Sequence, residues 1–281
     1  MQLYLGTRGS KLAMAQSQQV ADAITIATGV AVELVVFQTK GDKILDKPLA
    51  DIGGKGLFTF ELESALLAGE IDFAVHSLKD LPTDEDSHLV IGAIPQREDP
   101  RDCIVGKPLR ESLIIGTGSL RRESMIRSLS PKAEIRGIRG NVDTRLAKLD
   151  RGEFDAIVLA KAGLNRLSIE RNDIYIQDPS VFVPAPGQGA LGIQCRRSDS
   201  KTLEILQSIH HSVTKDCVDF ERTFLAAIQG GCNVAAGCYA YRENERYHAS
   251  YFLDRDGMQR GSITFENVQD GMASLMKVLG V

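Results

Sequence analysis

Through the first two-thirds of the chain, short apolar runs alternate with longer amphipathic stretches, and no other feature narrows the possible folds as much. Runs of four to eight apolar residues bounded by turn formers read as strands, and apolar residues at three- and four-residue spacing read as helices. Leu3 to Thr7 and Val32 to Thr39 are predicted strands around a helix from about Lys11 to Thr28. Phe58 to Ala68 is a predicted helix leading into strand Phe73 to His76, and Leu89 to Pro95 is another strand. Strand–helix alternation of this kind predicts an α/β fold with mixed, mainly parallel sheets.

The polar segment Gln96 to Arg101, with Pro100, predicts a crossing into a second unit of similar layout. There Leu113 to Gly116, Glu134 to Gly137 and Ala156 to Ala160 read as strands, with helices at Leu120 to Leu129 and Val142 to Arg151. Val181 to Gly192, rich in Gly and Pro, predicts a crossing back. Helices near Lys201 to Ile209 and Asp216 to Ile228 follow. Tyr247 to Leu253 and Gly261 to Phe265 then read as strands joined at Asp256-Gly257, a hairpin signal, before a terminal helix Val268 to Leu279. The expected division is a first domain of residues 1–96 and 188–208, a second of 97–187, and a small α+β domain of 209–281.

No apolar run approaches the roughly 20 residues that span a bilayer. The N-terminus lacks an apolar segment behind a basic start, which predicts a cytoplasmic protein. Five cysteines, an odd number without CxxC spacing, argue against a disulfide framework and a structural zinc site, so no metal is expected. From Arg97 to Arg171 twelve Arg and four Lys face eleven Asp and Glu, a surplus of +5 in a chain of net charge -4. A mildly basic segment in an acidic chain suits a small anionic ligand better than a nucleic-acid duplex. Tryptophan is absent and aromatics are 6%, which also gives bases little to stack on.

Several constellations could carry chemistry. In Gly116-Thr117-Gly118-Ser119-Leu120-Arg121-Arg122 a strand runs through a Gly-rich turn into a helix with Ser119 placed as N-cap. Free backbone N–H groups, the helix dipole and two guanidinium forks suit a carboxylate or phosphate there, although an ordinary capped helix with two solvated arginines has the same sequence. Arg139, Arg145 and Arg166 belong to turns at the carboxyl ends of predicted strands, the edge where open α/β sheets bind ligands. Thr7-Arg8-Gly9-Ser10, with Gln16 two turns into the next helix, is the first unit's counterpart. His76-Ser77-Leu78-Lys79-Asp80 places an acid beside a base after a strand; taken alone, it reads first as an exposed turn. Gly230-Gly231-Cys232-Asn233 can present a thiol on a permissive turn or bury a small apolar side chain, and these residues leave both open.

Taken together, T-R-G-S-K-L-A, G-G-K-G-L-F (Gly53 to Phe58), A-V-H-S-L-K-D, R-E-D-P-R-D, G-T-G-S-L-R-R, R-G-N-V-D-T-R, G-Q-G-A-L-G and G-G-C closely resemble the porphobilinogen deaminase (hydroxymethylbilane synthase) family from Thr7 to about Gly237. Asp51 and Phe60 stand where family members often carry lysine, and Ala235 where proline is common.

The resemblance implies two periplasmic-binding-protein-like lobes plus the small C-terminal domain. It implies a dipyrromethane cofactor, built from the enzyme's own substrate and held by a thioether to Cys232. Four porphobilinogen units would be joined head to tail with loss of ammonia, and hydrolysis would release hydroxymethylbilane for tetrapyrrole (haem) biosynthesis. By the same resemblance Lys79, Thr117, Ser119, Arg121, Arg122 and Arg145 hold cofactor carboxylates. Arg8, Ser10, Gln16, Arg139 and Arg166 bind incoming substrate or the growing chain, and Lys55 and Phe58 lie on a loop over the cleft. Asp80 would stabilise the cationic stages that follow loss of ammonia and would shuttle protons. A monomer that passes its product to uroporphyrinogen-III synthase is also implied. Two other readings compete: a two-lobed anion-binding protein without catalysis, which would have no use for Cys232, and an enzyme of phosphorylated metabolites built on the Gly116 turn.

Overall fold

The computed structural model describes residues 2–38, 59–83, 86–110, 112–228, 234–255 and 257–280. The chain forms two compact units, one of residues 1–98 and 190–215, the other of 99–189 and 216–281.

The first unit is built on strands β1 (Gln2–Arg8), β2 (Ala31–Phe37), β3 (Phe73–Ser77), β4 (Leu89–Ala93) and β10 (Leu191–Arg196), in the order β2-β1-β3-β10-β4. β1 is parallel to β2 and β3, whereas β10 runs antiparallel to both β3 and β4. Helix α1 (Lys11–Thr28) begins where Ser10 Oγ accepts the Ala13 N–H and ends at Gly29, which takes the left-handed conformation that glycine adopts without Cβ strain. Its buried stripe, Val20, Ala21 and Ile24, packs on Leu3, Leu5 and Phe73 of the sheet. Helix α2 (Phe60–Ala68) buries Leu62, Ala65 and Leu66 with Ile71 and Ala74. Helix α6 (Ser200–Gln207) contributes Leu206 to the α1 side of the core.

The second unit holds two sheets. One is β7-β6-β8-β5-β9, made of β5 (Asp102–Gly106), β6 (Ile114–Gly116), β7 (Glu134–Arg136), β8 (Ala156–Ala160) and β9 (Ile174–Ile176). β6, β7 and β8 are parallel, and β5 is antiparallel to β8 and β9. Helices α3 (Leu120–Leu129), α4 (Val142–Asp150) and α5 (Lys161–Arg166) follow β6, β7 and β8. The other sheet, β11 (Ala235–Glu243), β12 (Arg246–Asp254) and β13 (Met258–Phe265), is antiparallel throughout. Helices α7 (Ser212–Ala227) and α8 (Val268–Leu279) flank it in sequence. Phe252 of β12 packs into one core with Phe182, Val183 and Ile115, which ties the second sheet to the first.

The architecture is the expected α/β one with mixed sheets, in which parallel pairings occupy one half of each five-stranded sheet. Helices α1, α3 and α8 have the predicted ends. β5, β9, β10, β11 and α5 carry no sequence prediction. β5 and β10 are buried on both faces, so their side chains do not alternate between apolar and polar. β11 meets β12 through Asn244 and Glu245, both at positive φ (47° and 66°), a tight hairpin without glycine to announce it. α7 begins at Ser212 rather than near Asp216, because His211 Nδ1 accepts the Thr214 N–H at 3.2 Å and caps the added turn. No helix among the described residues is long and apolar enough to cross a membrane.

Candidate active site

In the first unit the parallel neighbours β1 and β3 deliver their following loops to one edge of the sheet. Arg8 ends β1 and Ser10 caps α1. Gln16, 5% exposed, donates from Nε2 to Ser77 Oγ at 2.9 Å, which clamps α1 to the end of β3. Leu78, Lys79 and Asp80 form one 3-10 turn directly after β3. Leu78 is buried and its N–H donates to Ala190 O at 3.0 Å, so the turn is pinned while Lys79 and Asp80 project into solvent. An acid and a base held on an anchored turn, beside Arg8 and Gln16, form a polar group able to bind an anion and move a proton.

Just before this turn, on β3, stands His76, to which the sequence motif assigns no role of its own. His76 Nε2 is 3.0 Å from Gln194 Oε1, and Gln194 Nε2 donates to Glu63 Oε1 at 3.3 Å. Burial pushes the His76 imidazole down to about 4, opposed by the Gln194 hydrogen bond and assisted by the positive charge of Arg8, so the ring is neutral near pH 7.

In the second unit the turns after β6, β7 and β8 also share one edge. Thr117 is buried, its N–H donates to Arg136 O at 3.0 Å, and its Oγ1 accepts the Ser119 N–H at 3.2 Å. Ser119 caps α3 as predicted, accepting the Arg122 N–H. Arg145 Nε donates to Gly140 O at 2.8 Å, and Arg166 Nη2 donates to Gly189 O at 2.8 Å, so both side chains are oriented by backbone carbonyls. Arg139, half-buried, lies on the loop between β7 and α4.

Arg121 and Arg122 do not project freely from α3. They are 4% and 7% exposed and converge on Asp102, which is closed to solvent at the first position of β5. Arg121 Nη2 lies 2.8 Å from Asp102 Oδ2 and Arg122 Nη2 lies 2.7 Å from Oδ1. Gln188 Nε2 donates to the same Oδ1 at 3.0 Å. Burial raises the Asp102 carboxyl, but Arg121, Arg122 and Gln188 together outweigh it and hold it at about 2. Two guanidinium groups thus share one carboxylate, and the cluster keeps one net positive charge away from bulk water. Such a charge favours an anionic partner. Asp102 and Gln188 lie within R-E-D-P-R-D and G-Q-G-A-L-G, yet nothing local in those motifs shows that they meet.

Cys232, Lys55 and Phe58 lie outside the described residues. The chain just beyond Cys232 is informative: a Cβ on Gly237, at the start of β11, would lie 2.8 Å from Val183 O, 2.9 Å from Pro184 O and 3.2 Å from Arg121 Cδ. Five residues past the cysteine, the backbone is therefore packed closely against Val183, Pro184 and the Arg121 side chain. The other cysteines, 103, 195, 217 and 238, are all buried. Burial pushes the Cys103 thiol up to about 12 and Cys195 up to about 11, which makes them poor nucleophiles. A group bearing several carboxylates fits this edge, with its surplus cation, capped helix start and further arginines. The edge does not suit a cationic or wholly apolar group.

The family model described as "Porphobilinogen deaminase, dipyromethane cofactor binding domain" matches residues 3–204. A porphobilinogen deaminase of Syntrophobacter fumaroxidans is 50% identical over 244 residues, covering 84% of this chain and 79% of that protein. One of Staphylococcus carnosus is 43% identical over 269 residues, covering 92% and 87%. Among solved structures, the methionine-binding protein MetQ matches 81% of this chain and 94% of its own at 12% identity and a TM-score of 0.47. With the family model spanning well over half its length and these two relatives aligned over most of theirs, the chain belongs to the porphobilinogen deaminase family.

Proposed function

We propose that the chain joins porphobilinogen units head to tail with release of ammonia, and that four additions followed by hydrolysis give hydroxymethylbilane. The observation that carries the reading is the Asp102–Arg121–Arg122 cluster, whose surplus positive charge suits a ligand with several carboxylates, together with the family model for a dipyrromethane-binding domain. When bound by a thioether to Cys232, the dipyrromethane supplies the free α-carbon of its terminal pyrrole, on which the chain grows.

The residues of the chain divide the remaining work. Thr117, Ser119, Arg121, Arg122 and Arg145, with Lys79, hold cofactor carboxylates by charge-assisted hydrogen bonds. Arg8, Ser10, Gln16, Arg139 and Arg166 bind the acetate and propionate groups of incoming substrate, and Lys55 and Phe58 cover it. Asp80 accepts pyrrole N–H groups, stabilises positive charge on the ring under attack and takes up the proton that leaves. In this reading residues 209–281 form a third domain beside domains of 1–96 with 188–208 and of 97–187. The protein acts as a cytoplasmic monomer whose product is consumed by uroporphyrinogen-III synthase.

Intact mass of the purified protein tests the reading. The expected mass exceeds that of the polypeptide by one dipyrromethane, and Cys232→Ser lacks the increment. An active protein of unmodified mass would overturn the covalent attachment.

A further inference from the structure

Asp102 is the most completely enclosed charged group at the carboxyl edge of the second unit's parallel strands, and no part of the proposed chemistry uses it directly. Its Oδ1 accepts from Arg122 Nε at 3.1 Å, from Arg122 Nη2 at 2.7 Å and from Gln188 Nε2 at 3.0 Å, and its Oδ2 faces Arg121 Nη2 at 2.8 Å. Each guanidinium is also tied to a backbone carbonyl. Arg122 Nη1 donates to Val158 O at 3.0 Å, and Arg121 Nη1 donates to Val183 O at 2.6 Å. A guanidinium carries five donors, so these contacts orient both forks without exhausting them.

The arrangement solves an electrostatic problem. Two guanidinium groups side by side and shielded from water repel each other strongly, because little solvent screens them. With Asp102 between them, two positive charges become one. The pair can then sit still in the absence of a ligand and still attract a carboxylate. Gln188 holds the Asp102 oxygen from the other side and also donates to Pro100 O at 2.8 Å, which fixes the carboxylate in the β5 frame.

We propose that Asp102 is the positioning residue of the cofactor site: it sets the direction and net charge of Arg121 and Arg122, so that the pair receives a carboxylate of a pyrrole chain anchored at Cys232. The inference rests on the proposed cofactor attachment. Asp102 touches neither cofactor nor substrate and acts through the two arginines.

The test compares wild type with Asp102→Asn, a near-isosteric change that removes the charge. Melting curves establish folding, intact mass reads the fraction of protein carrying the dipyrromethane increment, and kinetics are expressed per loaded molecule. For folded D102N the loaded fraction should fall by about fivefold or more, and kcat per loaded molecule by about tenfold, with KM for porphobilinogen changed by less than about twofold. A purely structural role would lower the melting temperature without this split. D102N that loads fully and turns over normally would overturn the proposal.

Should D102N not fold, Gln188→Leu carries the test, because it frees Asp102 on one side and leaves the ion pairs in place. The same direction of change, about two- to threefold in loading, supports the proposal. Unchanged loading and kcat overturn it. A wild-type protein without the mass increment removes the cofactor reading and this inference with it, a result distinct from a loaded wild type beside an equally loaded D102N.

Discussion

His76 Nε2 sits 3.0 Å from Gln194 Oε1 on neighbouring antiparallel strands, and both side chains are buried. Because desolvation lowers the imidazole from 6.5 to about 4, the folded protein binds this proton less readily than the unfolded chain does. Stability contributed by the neutral ring is therefore complete above about pH 6.5 and is lost as pH falls toward 4. At 1.36 kcal/mol per unit the loss amounts to about 3 kcal/mol. The urea midpoint of wild type should fall between pH 7 and pH 5, and His76→Gln should flatten that part of the profile. An equally steep profile in the variant would exclude His76 as its source.

Asp80 lies on an exposed turn held by buried Leu78, so its carboxylate can change without disturbing a core. Asp80→Asn should melt within a few degrees of wild type and still carry some dipyrromethane by mass. It should lose nearly all ammonia release, on the order of a hundredfold or more, as expected for a group that moves a proton at the reacting ring. Near-normal turnover would remove Asp80 from that role.

Arg8 ends β1 beside the Lys79–Asp80 turn and is assigned to substrate carboxylates. A charge-assisted hydrogen bond is worth about 1.5–3 kcal/mol, so Arg8→Leu should raise KM for porphobilinogen by about tenfold or more, seen in initial-rate kinetics. The same substitution removes a positive charge that depresses His76, so slightly less stability should be lost in the variant as pH falls from 6.5 toward 4.

Gly237 leaves no room for a side chain between Val183 O, Pro184 O and Arg121 Cδ. Gly237→Ala must push β11 away from two backbone carbonyls, at a cost of about 1–3 kcal/mol measurable by chemical denaturation. Since this strand follows Cys232 closely, the loaded fraction by mass should fall as well. An unchanged denaturation midpoint would show that the strand accommodates the methyl group.

Much of the scaffold was legible because its signals are local. The turn Gly116–Ser119 and helix Leu120–Leu129 announce themselves by glycines, an N-cap and helical spacing, and the helix Lys11–Thr28 by its spacing after the turn Thr7–Ser10. Elements buried on both faces were not legible. Asp102–Gly106 and Leu191–Arg196 show no alternation, because both sides of each strand face core. The turns bearing Arg8, Lys79, Arg139 and Arg166 could be placed at strand ends from spacing. Their hydrogen-bond partners, such as Gly189 O for Arg166, come from distant parts of the chain.

By itself the sequence determined the α/β alternation, the chain order of the motifs, the family they resemble and the candidate residues, because each depends on neighbours within a few positions. Only the tertiary structure decided that Arg121 and Arg122 are buried against Asp102, that Gln188 completes the cluster, and that His76 is held neutral. Those outcomes depend on desolvation and on charged and polar groups brought together from residues as far apart as 102 and 188. No local spacing encodes such a meeting, since it exists only after the strands pair and water is excluded.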